Sequence, residues 1–296
     1  MQIGLVVDER GRRLDELIAE ARTAAEAGLS AFWMGQHYGW DPLLALNVIG
    51  REVPGIGLAT GIVPTYPQHP LALASQTLSV QAATGNRFTL GVGLSHKPVI
   101  EGRFGYSYER PARHLREYLS ALIPLLRGEA VTYQGETLTA NGAVSVAGAE
   151  APPVLVSALG PVMLRVAGEL ADGTITNWAG PKALSEHIVP AITKAAAGRP
   201  EPRVVSMVMV SVTDDEAAVR SWVAENFGLS ATLASYRAML DREGANGVED
   251  VIIAGDEQSV GKALRRQIDA GATEFGVVAL GSPAERLRTI EFLATL

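Results

Sequence analysis

The sequence predicts an α/β protein, a closed (β/α)8 TIM barrel with insertions after its fourth and seventh strands. Three observations point there. Short apolar runs alternate with longer amphipathic ones along the whole chain, the signature of parallel strands joined by helices. Eight such pairs fit within 296 residues, a usual length for a barrel of this kind. Glycine is abundant, at 31 residues, as many tight strand–helix junctions require.

The elements follow in order. IGLVV at 3–7 is an apolar run ended by Asp8, and LDELIAEARTAAEA at 14–27 has helical spacing of its apolar residues. AFWMG at 31–35 and the helix over 43–49 come next. IGLATG at 56–61 is a strand, followed by a Pro/Tyr/His loop and a helix over 69–83. A Gly-Asn-Arg turn leads into FTLGVG at 88–93 and then a helix over 111–127. Strands over 154–157, 173–177, 204–210 and 275–280 pair with helices over 162–171, 184–197, 214–226 and 283–293. One apolar run is surplus, at 251–254 with a helix over 257–270. An open sheet of nine strands would absorb it; the barrel places it in an excursion between the seventh and eighth strands. The Val/Thr/Gly-rich stretch 128–151 reads as a hairpin-like insertion after the fourth helix. Neither excursion has linker composition, so one domain over 1–296 is expected.

Hydrophobic residues make up 47% of the chain and charged ones 19%, enough apolar material for a large core. A net charge of −7 without a basic run argues against nucleic acid as a partner. Cysteine is absent, which removes disulfides, thiolate nucleophiles and Cys-ligated metals. The N-terminus turns polar after seven residues, too early for a signal peptide. No apolar run approaches the roughly 18–20 residues of a membrane span, so a cytoplasmic protein without membrane partners is expected.

In parallel barrels, ligands are held where strand ends meet helix starts, so the strand ends carry the candidates. Gln36 and His37 follow the second strand, with Tyr38 and Trp40 beside them. His37 could relay a proton, hydrogen-bond a carbonyl, or pack as an ordinary loop histidine. Gly61 ends the third strand, where it lets the backbone approach a flat ligand or simply makes a rigid turn with the prolines that follow. The fourth strand runs out through Gly91, Gly93, Ser95, His96 and Lys97. A third glycine at 96 would be needed for a G-x-G-x-x-G dinucleotide fingerprint, and no G-x-S-x-G elbow is present. Without H-E-x-x-H or a close carboxylate cluster, no metal site is expected. Gly160-Pro161 opens a helix after the fifth strand, and Gly180-Pro181-Lys182 echoes it after the sixth. Their free N–H groups suit a phosphate, or are ordinary helix starts.

Together these residues resemble the luciferase-like monooxygenase superfamily, and within it the branch that uses the deazaflavin coenzyme F420. The matching pieces are Trp-x-x-x-His at 33–37, TGIVPTYPQHP at 60–70 and TGNRFTLGVGLSH at 84–96, joined by ALGPVMLRVAGELADGTITNWAGP at 158–181 and GDEQSVGKAL…DAG at 255–271. They span nearly the whole chain in order. The resemblance implies a homodimeric barrel with coenzyme F420 in its mouth, FMN being the alternative cofactor. It implies a cis peptide at Gly61–Ile62 against the cofactor ring, with Gln36 and Ser95 nearby and the phosphate end on Ala158, Leu159, Gly160, Pro161, Val162 and Met163. His37 is the first expected catalytic group and His96 the second; Trp40, Arg103, Tyr108 and Trp178 are the expected substrate contacts.

Three departures bear on function. Gln36 stands where some relatives have an acid. His96 stands where the sugar-phosphate dehydrogenase branch has glutamate. Val162 stands where relatives often carry arginine. The implied activity is hydride transfer between the deazaflavin and a small organic substrate such as an enone, imine or carbonyl. The rivals are an FMNH2-dependent monooxygenase and a non-catalytic flavin-binding partner protein.

Overall fold

A computed structural model describes residues 1–296. Twelve strands occur along the chain: β1 (Ile3–Val7), β2 (Ala31–Met34), β3 (Gly57–Thr60), β4 (Val63–Pro64), β5 (Phe88–Gly93), β6 (Val131–Gln134), β7 (Thr139–Gly142), β8 (Val154–Ser157), β9 (Gly173–Asn177), β10 (Arg203–Val212), β11 (Ile253–Gly255) and β12 (Glu274–Ala279). Eight of them pair in parallel in the order β1, β2, β3, β5, β8, β9, β10, β12, and β12 returns to β1. The expected (β/α)8 barrel is therefore closed. The surplus run is no ninth barrel strand: β11 pairs only with the C-terminal end of the long β10, Ile253 opposite Val210.

The barrel interior is filled rather than open. Trp33, Ala59, Leu155, Ile175 and Val205 form a buried cluster inside it. Trp33 fits because β1 carries glycine opposite: a Cβ at Gly4 would lie 2.4 Å from the indole Nε1. Outside the strands, a larger cluster of 57 buried residues packs the helices onto the sheet. Several helices begin with proline at a first-turn position, including Pro42–Glu52, Pro70–Thr84, Pro111–Leu126, Pro161–Leu170 and Pro283–Leu293, where a missing N–H costs nothing. No helix is long and apolar enough to cross a membrane.

The hairpin β6–β7 is antiparallel, with Val131 opposite Gly142. It follows helix Pro111–Leu126, in the insertion between the fourth and fifth barrel strands. His69 ties it down: its Nε2 lies 2.8 Å from the Thr139 carbonyl while Nδ1 caps Leu71 N–H at the start of helix Pro70–Thr84.

The second excursion follows β10, the seventh barrel strand, but its helices take roles opposite to those expected. Helix Glu257–Asp269 packs on the barrel: Val260 and Leu264 belong to the large core, and Gln267 accepts a hydrogen bond from Ser206 of β10 at 2.8 Å. Helix Glu216–Phe227, expected in that place, sits instead at the barrel mouth with Ala234–Glu243. Its Val219 and Val223 join Trp178, Leu240 and Leu280 in a separate small core. Helix Lys97–Phe104 was not expected, and the helix foreseen over 184–197 is broken by a π-helical turn at Leu184–Ile188.

Candidate active site

The C-terminal ends of the strands surround a central cleft of about 380 Å³ lined by His37, Gly61, His96, Asn177, Trp178, Met207 and Tyr236, among others. A second cleft of about 510 Å³ adjoins it, lined by Ile62, Ser95, His96, Tyr108, Leu159, Gly160 and Met163. His96, Leu233 and Tyr236 border both.

The wall of the central cleft is built by an interruption in the sheet. The β3 ladder with β5 ends at Ala59 opposite Thr89 and resumes at Val63 opposite Val92. Between them the Gly61–Ile62 peptide is cis, as the resemblance implies. The buried Thr60 hydroxyl bridges the gap, donating to the Gly91 carbonyl at 2.9 Å and accepting from Gly91 N–H at 2.8 Å. On the other side Gly61 N–H donates to the Met34 carbonyl and Gln36 N–H to the Ile62 carbonyl, at 2.9 and 3.0 Å. The bulge is thus held by both neighbouring strands. A Cβ at Gly61 would lie 2.9 Å from Met207 Cε, so a larger residue there would have to push aside the flexible end of Met207.

Beside this wall, past the end of the neighbouring β2, stands a pair that the sequence reading missed in half. Glu9, two residues past the end of β1, is 1% exposed. His37 Nδ1 lies 2.8 Å from its Oε2, while Oε1 has no hydrogen-bond partner. With a carboxylate accepting at Nδ1, the imidazole presents Nε2 as its free nitrogen. The signal was legible: Glu9 occupies the same post-strand position that singles out His37. Asp8 lies beside them, and the three side chains offer ligand atoms within 4.8 Å of one another. A close carboxylate cluster does therefore form, contrary to expectation. Asp8 and His37 are already engaged, however, and Glu9 Oε1 alone is without a partner. Asp8 receives two bonds from the Arg10 guanidinium, at 2.8 and 2.7 Å, which hold its carboxyl below the usual range.

His96 is the second histidine of the site. Tyr236, from helix Ala234–Glu243, places its hydroxyl 3.3 Å from His96 Nε2 with the rings edge to face. Burial lowers the His96 pKa and raises that of Tyr236, which also hydrogen-bonds Asn177. Both are therefore neutral near pH 7 and act as hydrogen-bonding groups. Tyr236 comes from the excursion and carries no sequence signal of its own.

Other expected residues are distributed unevenly. Tyr108 lines the second cleft with its hydroxyl donating to the Ser95 carbonyl at 3.0 Å. Ser95, Tyr38 and Trp178 adopt positive φ of 59°, 68° and 54°, a conformation uncommon for residues other than glycine. Trp178 lines the central cleft, but Trp40 turns away, donating to the Arg12 carbonyl at 2.9 Å. Arg103 stacks 4.0 Å over the Tyr38 ring and lines neither cleft. Gln36 also stands outside both, its side chain accepting from Tyr38 N–H at 2.7 Å.

The two Gly-Pro helix starts differ sharply. At Gly160 no side chain caps helix Pro161–Leu170, and a Cβ there would meet nothing within 4 Å. Its first-turn N–H groups are open. Val162 is 46% exposed at this rim, Pro161 is exposed, and Ala158 is buried with its carbonyl accepting from Thr174 Oγ1. The echo at Gly180-Pro181 is not available to a phosphate. Glu243 of the excursion occupies it, accepting from Ala183 N–H at 2.6 Å.

The chain is similar to a 5,10-methylenetetrahydromethanopterin reductase of Archaeoglobus fulgidus, with 30% identity over 210 residues covering 70% of this chain and 63% of that relative. It shares its fold with a coenzyme F420-dependent tetrahydromethanopterin reductase from Methanopyrus kandleri, at a TM-score of 0.83 and 23% identity over 99% of this chain and 97% of that one. It also shares it with the oxygenating constituent of 3,6-diketocamphane monooxygenase from Pseudomonas putida in complex with FMN, at a TM-score of 0.78 and 19% identity, covering 99% and 96%. A family model described as luciferase-like monooxygenase matches residues 1–290, and the chain belongs to that family.

Proposed function

We propose that the chain is a coenzyme F420-dependent oxidoreductase moving a hydride between the deazaflavin and a small organic substrate, an enone, an imine or a carbonyl/alcohol pair. The observation that carries the reading is the central cleft itself, where the Gly61 backbone forms part of the wall and His37, held by Glu9, stands beside it. The similarity to proteins named as reductases, one of them F420-dependent, supports the deazaflavin over FMN.

The residues present fit such a coenzyme. The small Gly61 leaves a flat wall for a ring, and the uncapped N-terminus at Gly160 offers backbone donors and dipole to a phosphate. Lys97 borders the same cleft, a cation on a rim where Val162 supplies none. When bound, the deazaflavin supplies the carbon that gives or takes hydride. The chain positions and protonates. Glu9 fixes the His37 ring through Nδ1, and Nε2 gives a proton to, or takes one from, the substrate oxygen or nitrogen. His96 and Tyr236 hydrogen-bond at the border of the two clefts, and Trp178 and Met207 exclude water. Trp178 contacts the substrate side of the site, and Tyr108 lines the second cleft on the coenzyme's side. The chain works as a homodimer, a reading supported by Leu44 and Val48, exposed one turn apart on helix Pro42–Glu52.

Titration of the purified protein with coenzyme F420 and with FMN, followed by fluorescence, tests the reading. Micromolar binding of the deazaflavin without FMN binding is expected. Tight FMN binding with oxygen consumption beside a flavin reductase overturns it in favour of a monooxygenase. Tight deazaflavin binding without reoxidation of the reduced coenzyme by any enone, imine or ketone overturns the enzyme in favour of a partner protein.

A further inference from the structure

The central cleft is not closed on the side away from the Gly160 rim. It runs into an outer groove of about 790 Å³ between helix Glu216–Phe227 and the turn after β12, and the two share Asp8, Arg10, Phe227 and Val278 as borders. Three aromatic rings bridge them. Trp178 lines the central cleft, Phe227 borders both spaces, and Trp222 lines the outer groove. Their centroids are spaced 6.0 Å and then 5.8 Å, each pair tilted, within the range of favourable aromatic contact. Trp222 is 47% exposed, a large apolar face bordering a groove rather than packed in a core.

Size makes the groove necessary. At about 380 Å³, the central cleft is near the lower end of the roughly 300–1,000 Å³ range of small-molecule sites. On the hydride-transfer reading it has to receive both a tricyclic ring and the reacting end of a substrate. The second cleft leads toward Gly160, where that reading puts the coenzyme's phosphate. Any further substrate bulk therefore leaves through the outer groove.

We propose that this groove is an extension of the substrate site, and that it takes the non-reacting end of an elongated substrate carrying a flat aryl or fused-ring group, laid on Phe227 and Trp222. The Asp8–Arg10 ion pair forms the polar rim where the two spaces meet. Selectivity for length and flatness then belongs to helix Glu216–Phe227, and the chemistry remains in the barrel. The proposal rests on the hydride-transfer reading only for which end reacts.

The test uses two enones, cyclohexenone and the naphthyl analogue of benzylideneacetone, titrated calorimetrically against cofactor-free protein. Binding is read without turnover, so failure of the coenzyme reading leaves this result intact. The wild type is expected to favour the naphthyl ketone. Trp222→Ala is expected to weaken that ketone about tenfold and to leave cyclohexenone unchanged. Ala218→Phe, which narrows the groove from its exposed wall, is expected to do the same without removing an aromatic contact. With reduced coenzyme present, the same variants raise KM for the naphthyl ketone and leave kcat unchanged. The proposal is overturned if the wild type does not favour the naphthyl ketone. It is also overturned if neither variant weakens that ketone, or if both enones weaken alike.

Discussion

Glu9 is buried beside a histidine that is half exposed, and it uses only one of its carboxylate oxygens. Such a group acts through the ring it holds: it selects the tautomer and sets the orientation. Glu9→Gln keeps the shape and removes the charge. On the proposed function, kcat is expected to fall roughly hundredfold, within the usual share of acid–base catalysis, while the coenzyme Kd stays within about twofold of wild type. His37→Ala is expected to cost at least as much, and the double variant no more than His37→Ala alone, because the two act as one unit. Additive losses in steady-state kinetics would separate Glu9 from His37 and sink the pairing.

At the scale of elements, the bulge between β3 and β4 depends on one hydroxyl. Thr60→Val keeps the volume but leaves Gly91 N–H and C=O without their partner in a fully buried place. The expected destabilisation is about 3 kcal/mol, from two unsatisfied groups at roughly 1–3 kcal/mol each, read as a lower midpoint in urea unfolding. Thr60→Ser, which keeps the hydroxyl, should recover most of it; equal losses in both variants would remove the hydroxyl from the account. The same scale marks the boundary of what the sequence makes legible. Barrel strands such as IGLVV and FTLGVG are buried on both faces and so read as unbroken apolar runs. The strand ends inherit that clarity, which is why Gly61, His37 and His96 could be placed. Helix 257–269 is strongly amphipathic and helix 216–227 only weakly so, so the pattern does favour the former for the barrel; chain order, with 216–227 directly after the seventh strand, points the other way. Helix Lys97–Phe104 buries only Ile100 and so has no periodic face to read. Tyr236 and Glu243 reach the site only through packing of the excursion, at 140 and 60 residues from His96 and Ala183 respectively. No local rule connects such distances.

For the whole molecule, acid stability draws on groups outside the two clefts of the site. His114 is 7% exposed, stacked 3.9 Å from the Tyr66 ring, with Nε2 3.0 Å from Thr65 Oγ1. Burial pushes its pKa from 6.5 down to about 4. Above pH 6.5 the folded and unfolded chains both hold it neutral, and it contributes no pH dependence. Between pH 6.5 and about 4 only the unfolded chain takes up the proton, so stability falls as pH falls; below about 4 both forms are charged and the slope ends. By pH 5 the loss is about 2 kcal/mol, at 1.36 kcal/mol per pH unit. Glu285 acts in a lower window. Hydrogen bonds from Thr213 and Ser282 depress its pKa from 4.5 to about 2, so the stability it contributes is present above pH 4.5 and lost as pH falls through about 2. The two windows scarcely overlap, which makes them separable by substitution. Urea midpoints measured from pH 7.5 to 5 should fall steeply for the wild type and clearly less so for His114→Asn, where His96, whose pKa burial also lowers, keeps part of the slope, whereas Glu285→Gln should leave that slope untouched and flatten the profile only below pH 4.5. A His114→Asn profile as steep as wild type between pH 7.5 and 5 would assign the loss to another group.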